Sequence, residues 1–329
     1  MRQKVSFPVR VDAISTTPYL LIQNQFRMNK HYFMSKIYTL TTGVFALFLA
    51  VGLQAQTSFG AFVDNNWSNP SNWTNGLPAA GNDATIGGGL TAEINQTLLI
   101  DFQVTSYGNI AVNAAVTNQG TINNFFGSIQ ISGTGSLTNL GTMDNRGALT
   151  IAAGATFTQS EGATFQPDGS SNITNDGSLT IFGVFNLNGT LTNNGTISAN
   201  ATIPNQGTVQ NNGTFDLNGG QFKNTHGGAV FTNATGAGFQ IKPGANFTNY
   251  GTTTNDGTTT NNGTVDNFKY IINNGLLNNN NGGVLTTSFS VVNNGTFNNN
   301  NNAELNINFT DFDNYGTFNN NFQINNAGN

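Results

Sequence analysis

The chain contains no cysteine, which removes disulfides and thiolate metal sites and leaves packing and backbone hydrogen bonds to hold it together. Charge is nearly as scarce. Only 8% of its 329 residues are Asp, Glu, Lys or Arg, against about 25% in an ordinary globular domain, so a packed α/β enzyme is a poor match. Cations are rarer still over most of the length. Six of the ten Lys and Arg lie at or before Lys36, leaving Arg146, Lys223, Lys242 and Lys269 against fourteen acids, a balance near −10. That balance argues against nucleic-acid binding, which relies on clustered cations to neutralise phosphates. Helix formers are sparse after Ala55, where Gly, Asn and Thr dominate; these are poor helix residues, and an all-β chain is predicted.

What remains is enough to fold. The apolar fraction is 37% with 26 Phe, too high for the low-hydrophobicity, high-charge signature of disorder. These residues are spread thinly and evenly, as suits a narrow core running the whole length of a repeat protein. One long apolar run is present, residues 38–53, preceded by Lys30 and Lys36 and followed by Leu53-Gln54-Ala55-Gln56. The order charged, apolar, small is that of a secretory signal peptide cut after Ala55. The run is short for a membrane span of about 20 residues, so no transmembrane anchor is expected. Residues ahead of Met28 make an unusually long lead, which places the expected start at Met28 or Met34.

The strongest signal is a period of six. Ile173, Leu179, Phe185, Leu191, Ile197, Ile203, Val209 and Phe215 are apolar at every sixth position, and four residues after each comes Gly or, once, Ala201. A second block carries Asn249, Asn255, Asn261, Asn267, Asn273 and Asn279 at the same spacing. The unit is Φ-x-N-x-G-T. Six fits neither the 3.6 of an α-helix nor plain strand alternation, but it suits a short strand plus a corner repeated around a coil, a parallel β-solenoid. The apolar residue is predicted to point inward, Asn to stack on Asn as an amide ladder, and Gly to take the corner because positive φ is open to it. Three such units make an 18-residue triangular coil, while spacings such as Gly275 to Gly295 also permit larger coils. The expected organisation is a leader over 1–55, a cap and first strands over 56–100, and repeats over 101–329.

Both tryptophans lie outside the repeat, directly after the leader. The run Trp67-x5-Trp73-x2-Gly76-x-Pro78, continuing to Asp83-Ala84-Thr85-Ile86, resembles the start of secreted bacterial β-helix proteins of the autotransporter and adhesin type, including large surface proteins of Bacteroidetes. The resemblance covers about 25 residues, with the N-x-G-T repeats behind it. It implies export to the cell surface or outer membrane, and an N-terminal cap made by Trp67, Trp73, Pro78 and Asp83 over the first coil. A sugar-stacking platform is the other use of the two indoles.

No catalytic, metal-binding or cofactor-binding residues are expected, and the chain is read as a non-enzymatic scaffold with adhesin-like contacts to glycans, surfaces or other copies. Three alternatives define what to look for. A glycan-active β-helix enzyme needs paired carboxylates on one face, for which Asp311 with Asp313, or Asp144 near Arg146, are the candidates. Lys223 and His226 sit where the hexad register breaks, as a binding loop would. Thr252 to Thr254 and Thr258 to Thr260, spaced by six, are the candidates for a flat Thr face, as in ice-binding solenoids.

Overall fold

The computed structural model describes residues 55–61, 63–308 and 311–327. The expected start at Met28 or Met34 and the apolar leader lie outside these residues; Ala55, the expected cut, is the first residue of the first strand, Ala55–Phe59. From there the chain is a parallel β-solenoid, with one 3-10 turn at Pro70–Asn72 as its only helix among the described residues.

The first strand pairs with the next, Asn82–Ile86; from there on strands pair in parallel with the third strand after them, broken only after Val184–Phe185, so three strands complete one coil and the cross-section is triangular. The first face opens with Ala55–Phe59, the second with Thr91–Ile94 and the third with Leu98–Ile100. The second and third faces each stack 12 strands without interruption. The shortest coil is 18 residues, as between Asn175 and Asn193. Longer ones, up to 25 residues between Asn224 and Asn249, insert a turn at a corner and then resume the same register.

The hexad explains this geometry. Four residues form each strand, with alternate side chains on opposite sides of the pleat, so in Thr190–Asn193 the pattern is out, in, out, in. The inner pair is one apolar residue and one Asn. Ile173, Leu191 and Val209 stack on the second face; Leu179, Ile197 and Phe215 stack on the third; Phe185 and Ile203 lie on the first. All eight are buried. Where the coils are longest the core is filled by phenylalanines: Phe231 and Phe239 meet edge to face at 4.8 Å, and Phe222 stacks on Phe247 at 5.5 Å.

The buried Asn residues form three ladders, one inside each corner. Asn249 donates to Asn267 at 2.9 Å, Asn255 to Asn273 at 2.7 Å and Asn261 to Asn279 at 2.8 Å. Each amide also donates to a backbone carbonyl beyond the corner, as Asn193 does to Thr214 O at 2.9 Å. Both N–H groups and the oxygen are thereby used, which is the condition for burying an amide without a large desolvation penalty. The ladders run in one direction, Nδ2 of one coil to Oδ1 of the next. The first oxygen of each therefore has no donor: Asn118, Asn124 and Asn175 Oδ1 are buried without a partner.

On the third face Ile181, Ala199, Leu217 and Ile241 replace the amide between Gln159 and Asn261, and on the first face the ladder breaks as well. Asn124 donates to Asn145, but the next position in register is Pro167, which has no amide to continue it, and the strand after that, Val184–Phe185, is short. Pairing resumes through a Leu187 to Asn205 bridge.

The corner glycines correct one expectation. Gly177, Gly195, Gly207 and Gly213 do not have positive φ; that conformation belongs to Gly154, Gly236, Gly244 and Gly282 in the lengthened turns. The hexad glycines are required for a different reason. A Cβ on Gly195 would fall on the carbonyl oxygen of Gly177, and one on Gly213 on that of Gly195, in each case well under 3.0 Å. Coils abut backbone to backbone at these points, and only Gly fits.

Two outcomes follow. Asn193→Ala removes a ladder centre and strands groups on Asn175 and Asn211, so it is expected to lose about 2–4 kcal/mol in urea unfolding. Asn175→Ala, at the undonated start, loses less; equal losses would refute the directional ladder. Gly195→Ala is expected to lose about 1–3 kcal/mol by overpacking. Gly238→Ala, where the added Cβ meets nothing within 4 Å, is expected to be neutral or stabilising, and a comparable loss there would reject the close-approach explanation.

Candidate functional site

The surface chemistry is set by the outward residues of each strand and by the residue following each ladder Asn, which sits at the tip of a corner. Because the coil is triangular, each such residue joins one of three corner files.

The corner between the second and third faces carries amides and acids. Asn194 donates to Asp176 at 2.7 Å and Asn212 to Asn194 at 2.8 Å. Higher up, Asn274 donates to Asp256 at 2.7 Å and Asn294 to Asn274 at 2.8 Å. The corner between the third and first faces becomes an asparagine groove in the last coils: Asn262, Asn280, Asn281, Asn300, Asn301 and Asn321 line an open depression of about 720 Å³. Asn300 donates to Asn280 at 2.6 Å. Beside it, on the third face, Asn298 donates to Asn278 and accepts from Asn319, both at 2.8 Å. An amide has two N–H donors and two acceptor lone pairs, so each member of these exposed files keeps hydrogen-bonding capacity for a ligand. The sequence signal was the Asn-Asn doublet after the ladder position, at Asn280-Asn281 and Asn300-Asn301, which reads as repeat until the coil is closed.

The Trp segment closes the first coil. Trp67 and Trp73 are 2% and 4% exposed and meet edge to face at 4.8 Å, with Phe59 5.0 Å from Trp73. The Trp73 indole N–H donates to the Trp67 carbonyl at 2.8 Å. Trp67 borders the same interior space as Ile94, Ile100, Val104 and Ile110. Buried on both sides, neither indole offers a free face for sugar stacking. Pro78 is half-buried in the following turn, and Asp83 Oδ1 accepts from Gln103 N at 2.9 Å, tying the first coil to the second.

The segment is knotted by Asn72 and Asp64. Asn72, fully buried, donates to Asp64 Oδ1 at 2.6 Å and to Asn66 O at 2.9 Å. The hydrogen bond from Asn72, followed by that from the Asn66 backbone, holds the Asp64 carboxyl below its ordinary value.

The charged candidates are dispersed. Asp144 projects from the first face and pairs with Arg146 at 3.2 Å in the open, while Asp313 lies on the second face in the strand Phe312–Asn314 and Asp311 just precedes it. His226 accepts from Gly228 N at 3.0 Å within its own corner. Lys223 lies 5.3 Å from the Tyr250 ring. Among the described residues no three His, Cys, Asp or Glu side chains are grouped to hold a metal ion. The two Thr runs do not share a face: Thr252–Asn255 belongs to the second and Thr258–Asn261 to the third, with Thr253 and Thr259 turned inward. Six residues is one face of the coil, so side chains must be a full coil apart to align.

Because Asp64 has its carboxyl depressed in the folded chain, its contribution to cap stability is present above pH 3.8 and is lost as pH falls through the lower folded value. Acid titration of the tryptophan fluorescence is expected to show a loss below pH 3.8 that Asp64→Asn flattens; an unchanged acid limb in the variant would disprove that linkage.

No family model, curated protein or solved structure matches the chain, which is therefore placed by its own geometry as a triangular, parallel β-solenoid repeat scaffold.

Proposed function

We propose that this chain is an exported, adhesin-like scaffold that holds files of exposed amide and hydroxyl groups against a glycan, a surface or another copy. The observation that carries this reading is the register of the outer files. Asn280 and Asn300, or Asn278, Asn298 and Asn319, repeat once per coil at the strand spacing of about 4.8 Å, giving a rigid array rather than a set of mobile side chains. Such a lattice suits a repetitive partner, whose groups recur along a line, and multiplies weak contacts by avidity. Export is supported by the order of residues 30–56. No helix among the described residues is long and apolar enough to cross a membrane.

The glycan-active enzyme is the competing reading, and one preparation separates the two. The purified chain is incubated with insoluble neutral polysaccharides such as cellulose, chitin and mannan. Scaffold behaviour is retention without release of soluble sugar, with retention roughly tenfold weaker in Asn280→Ala/Asn300→Ala after loss of two hydrogen-bonding side chains. Release of new reducing ends would instead establish an enzyme, and absence of retention on every polymer would reject the glycan-binding form of the scaffold. N-terminal sequencing of the protein secreted from a Gram-negative host is expected to begin at Gln56; an intact Met1 would remove export from the proposal.

A further inference from the structure

The third corner, between the first and second faces, differs in kind from the two amide corners. Among the described residues it holds six of the exposed aromatic side chains, Tyr107, Phe126, Tyr250, Phe268, Tyr270 and Phe289, against three elsewhere, Phe182, Tyr315 and Phe322. Three of the cations after the leader lie on this same corner, each over a ring: Arg146 over Phe125 at 5.0 Å, Lys223 over Tyr250 at 5.3 Å and Lys269 over Tyr270 at 5.9 Å. The fourth, Lys242, reaches Asp216 at 3.8 Å on another corner. Three of the four cations after Ala55 thus lie along one edge.

The upper cluster is the larger. Tyr250 and Phe268 stack in adjacent coils at 4.8 Å and 9°, and Tyr270 meets Phe289 edge to face at 5.0 Å. Tyr250, Phe268 and Tyr270 are 37%, 43% and 41% exposed. His226 lies in the corner one coil below Tyr250, where Gly227 leaves room for the Lys269 ammonium: a Cβ there would come within 2.6 Å of Nζ. Among the described residues, Lys223 and Lys269 have no carboxylate within salt-bridge reach. An ammonium over a ring gains cation–π attraction yet keeps donors free.

We propose that this ridge binds an anionic polysaccharide, one whose sugars carry carboxylates. Sugar rings present an apolar C–H face to aromatic side chains, while their carboxylates accept charge-assisted hydrogen bonds from Lys223 and Lys269. A file of rings that climbs one coil at a time fits an extended polymer lying along the edge; Arg146 lower down is neutralised by Asp144, and the positive charge offered to a ligand is that of Lys223 and Lys269. Exposed aromatic side chains gathered side by side, rather than scattered singly, are a mark of interaction surfaces.

The ridge uses residues separate from the asparagine groove, so the two can fail independently. The probe is polygalacturonate, with highly methyl-esterified homogalacturonan as the same backbone lacking charge, measured by calorimetry on the purified chain. Polygalacturonate is expected to bind, more weakly as salt rises, and the esterified polymer at least tenfold less tightly. Lys223→Gln/Lys269→Gln is expected to lose roughly tenfold in affinity with unchanged circular dichroism and melting, while Asn280→Ala/Asn300→Ala binds polygalacturonate like the parent. Equal affinity for the two polymers, full affinity in the lysine variant, or no binding of polygalacturonate would each overturn the proposal.

Discussion

Everything in this protein depends on coils stacking in parallel register, at a backbone-to-backbone distance that leaves no room for a side chain at corner glycines such as Gly195 and Gly213. Gly177, Gly195 and Gly213 lie one above another, each close enough that a methyl group would strike the carbonyl of the coil below. With the corners pinned, the strands pair without slip, and residues a full coil apart share one environment. A one-residue slip would turn the inner Asn and apolar residues outward together. The regular hexad is the consequence of that demand.

The same register lets polar groups share the interior with a thin apolar core. A coil with one apolar residue per face buries little surface for its length, and hydrophobic burial of the order of 25 cal/mol per Å² has to be supplemented. The Asn ladders supply hydrogen bonds inside each corner, and phenylalanines around Phe231 and Phe239 fill the widest coils. A ladder is only as good as its continuity. At Pro167 the first-face ladder stops and the sheet narrows to the two residues Val184–Phe185 before it resumes. In the first coil Trp67 and Trp73 are buried over the core, and a solenoid's terminal coil needs such cover to avoid offering a bare apolar face and free strand edges.

A uniform repeat produces three unlike edges. One corner presents amides and acids, one an asparagine groove, and one aromatic rings with lysines and an arginine. The division arises because the tip residue, the x between Asn and Gly, is the hexad position least constrained by packing, and each third tip residue falls on the same edge. Variation that the fold tolerates is therefore sorted by the coil into continuous stripes. Such stripes are the natural unit of recognition in a solenoid, since a partner that runs along the axis meets the same chemistry at every step.

Much of this was legible in the chain itself. The period from Ile173 to Phe215 and the Asn series from Asn249 to Asn279 determined strand, corner and ladder positions, because side-chain alternation and amide pairing act locally and repeat unchanged. Other features needed the closed coil. Within one hexad, Gly at the corner suggests a demand for positive φ; the neighbour that in fact excludes a side chain lies a coil away. Thr252 to Thr254 and Thr258 to Thr260 look adjacent in sequence yet belong to different faces, and Lys223 looks isolated until Tyr250 lies across from it. The sequence by itself determined what each residue does within its own hexad; the tertiary structure alone decided which hexads share an edge, because that depends on how many residues complete a turn.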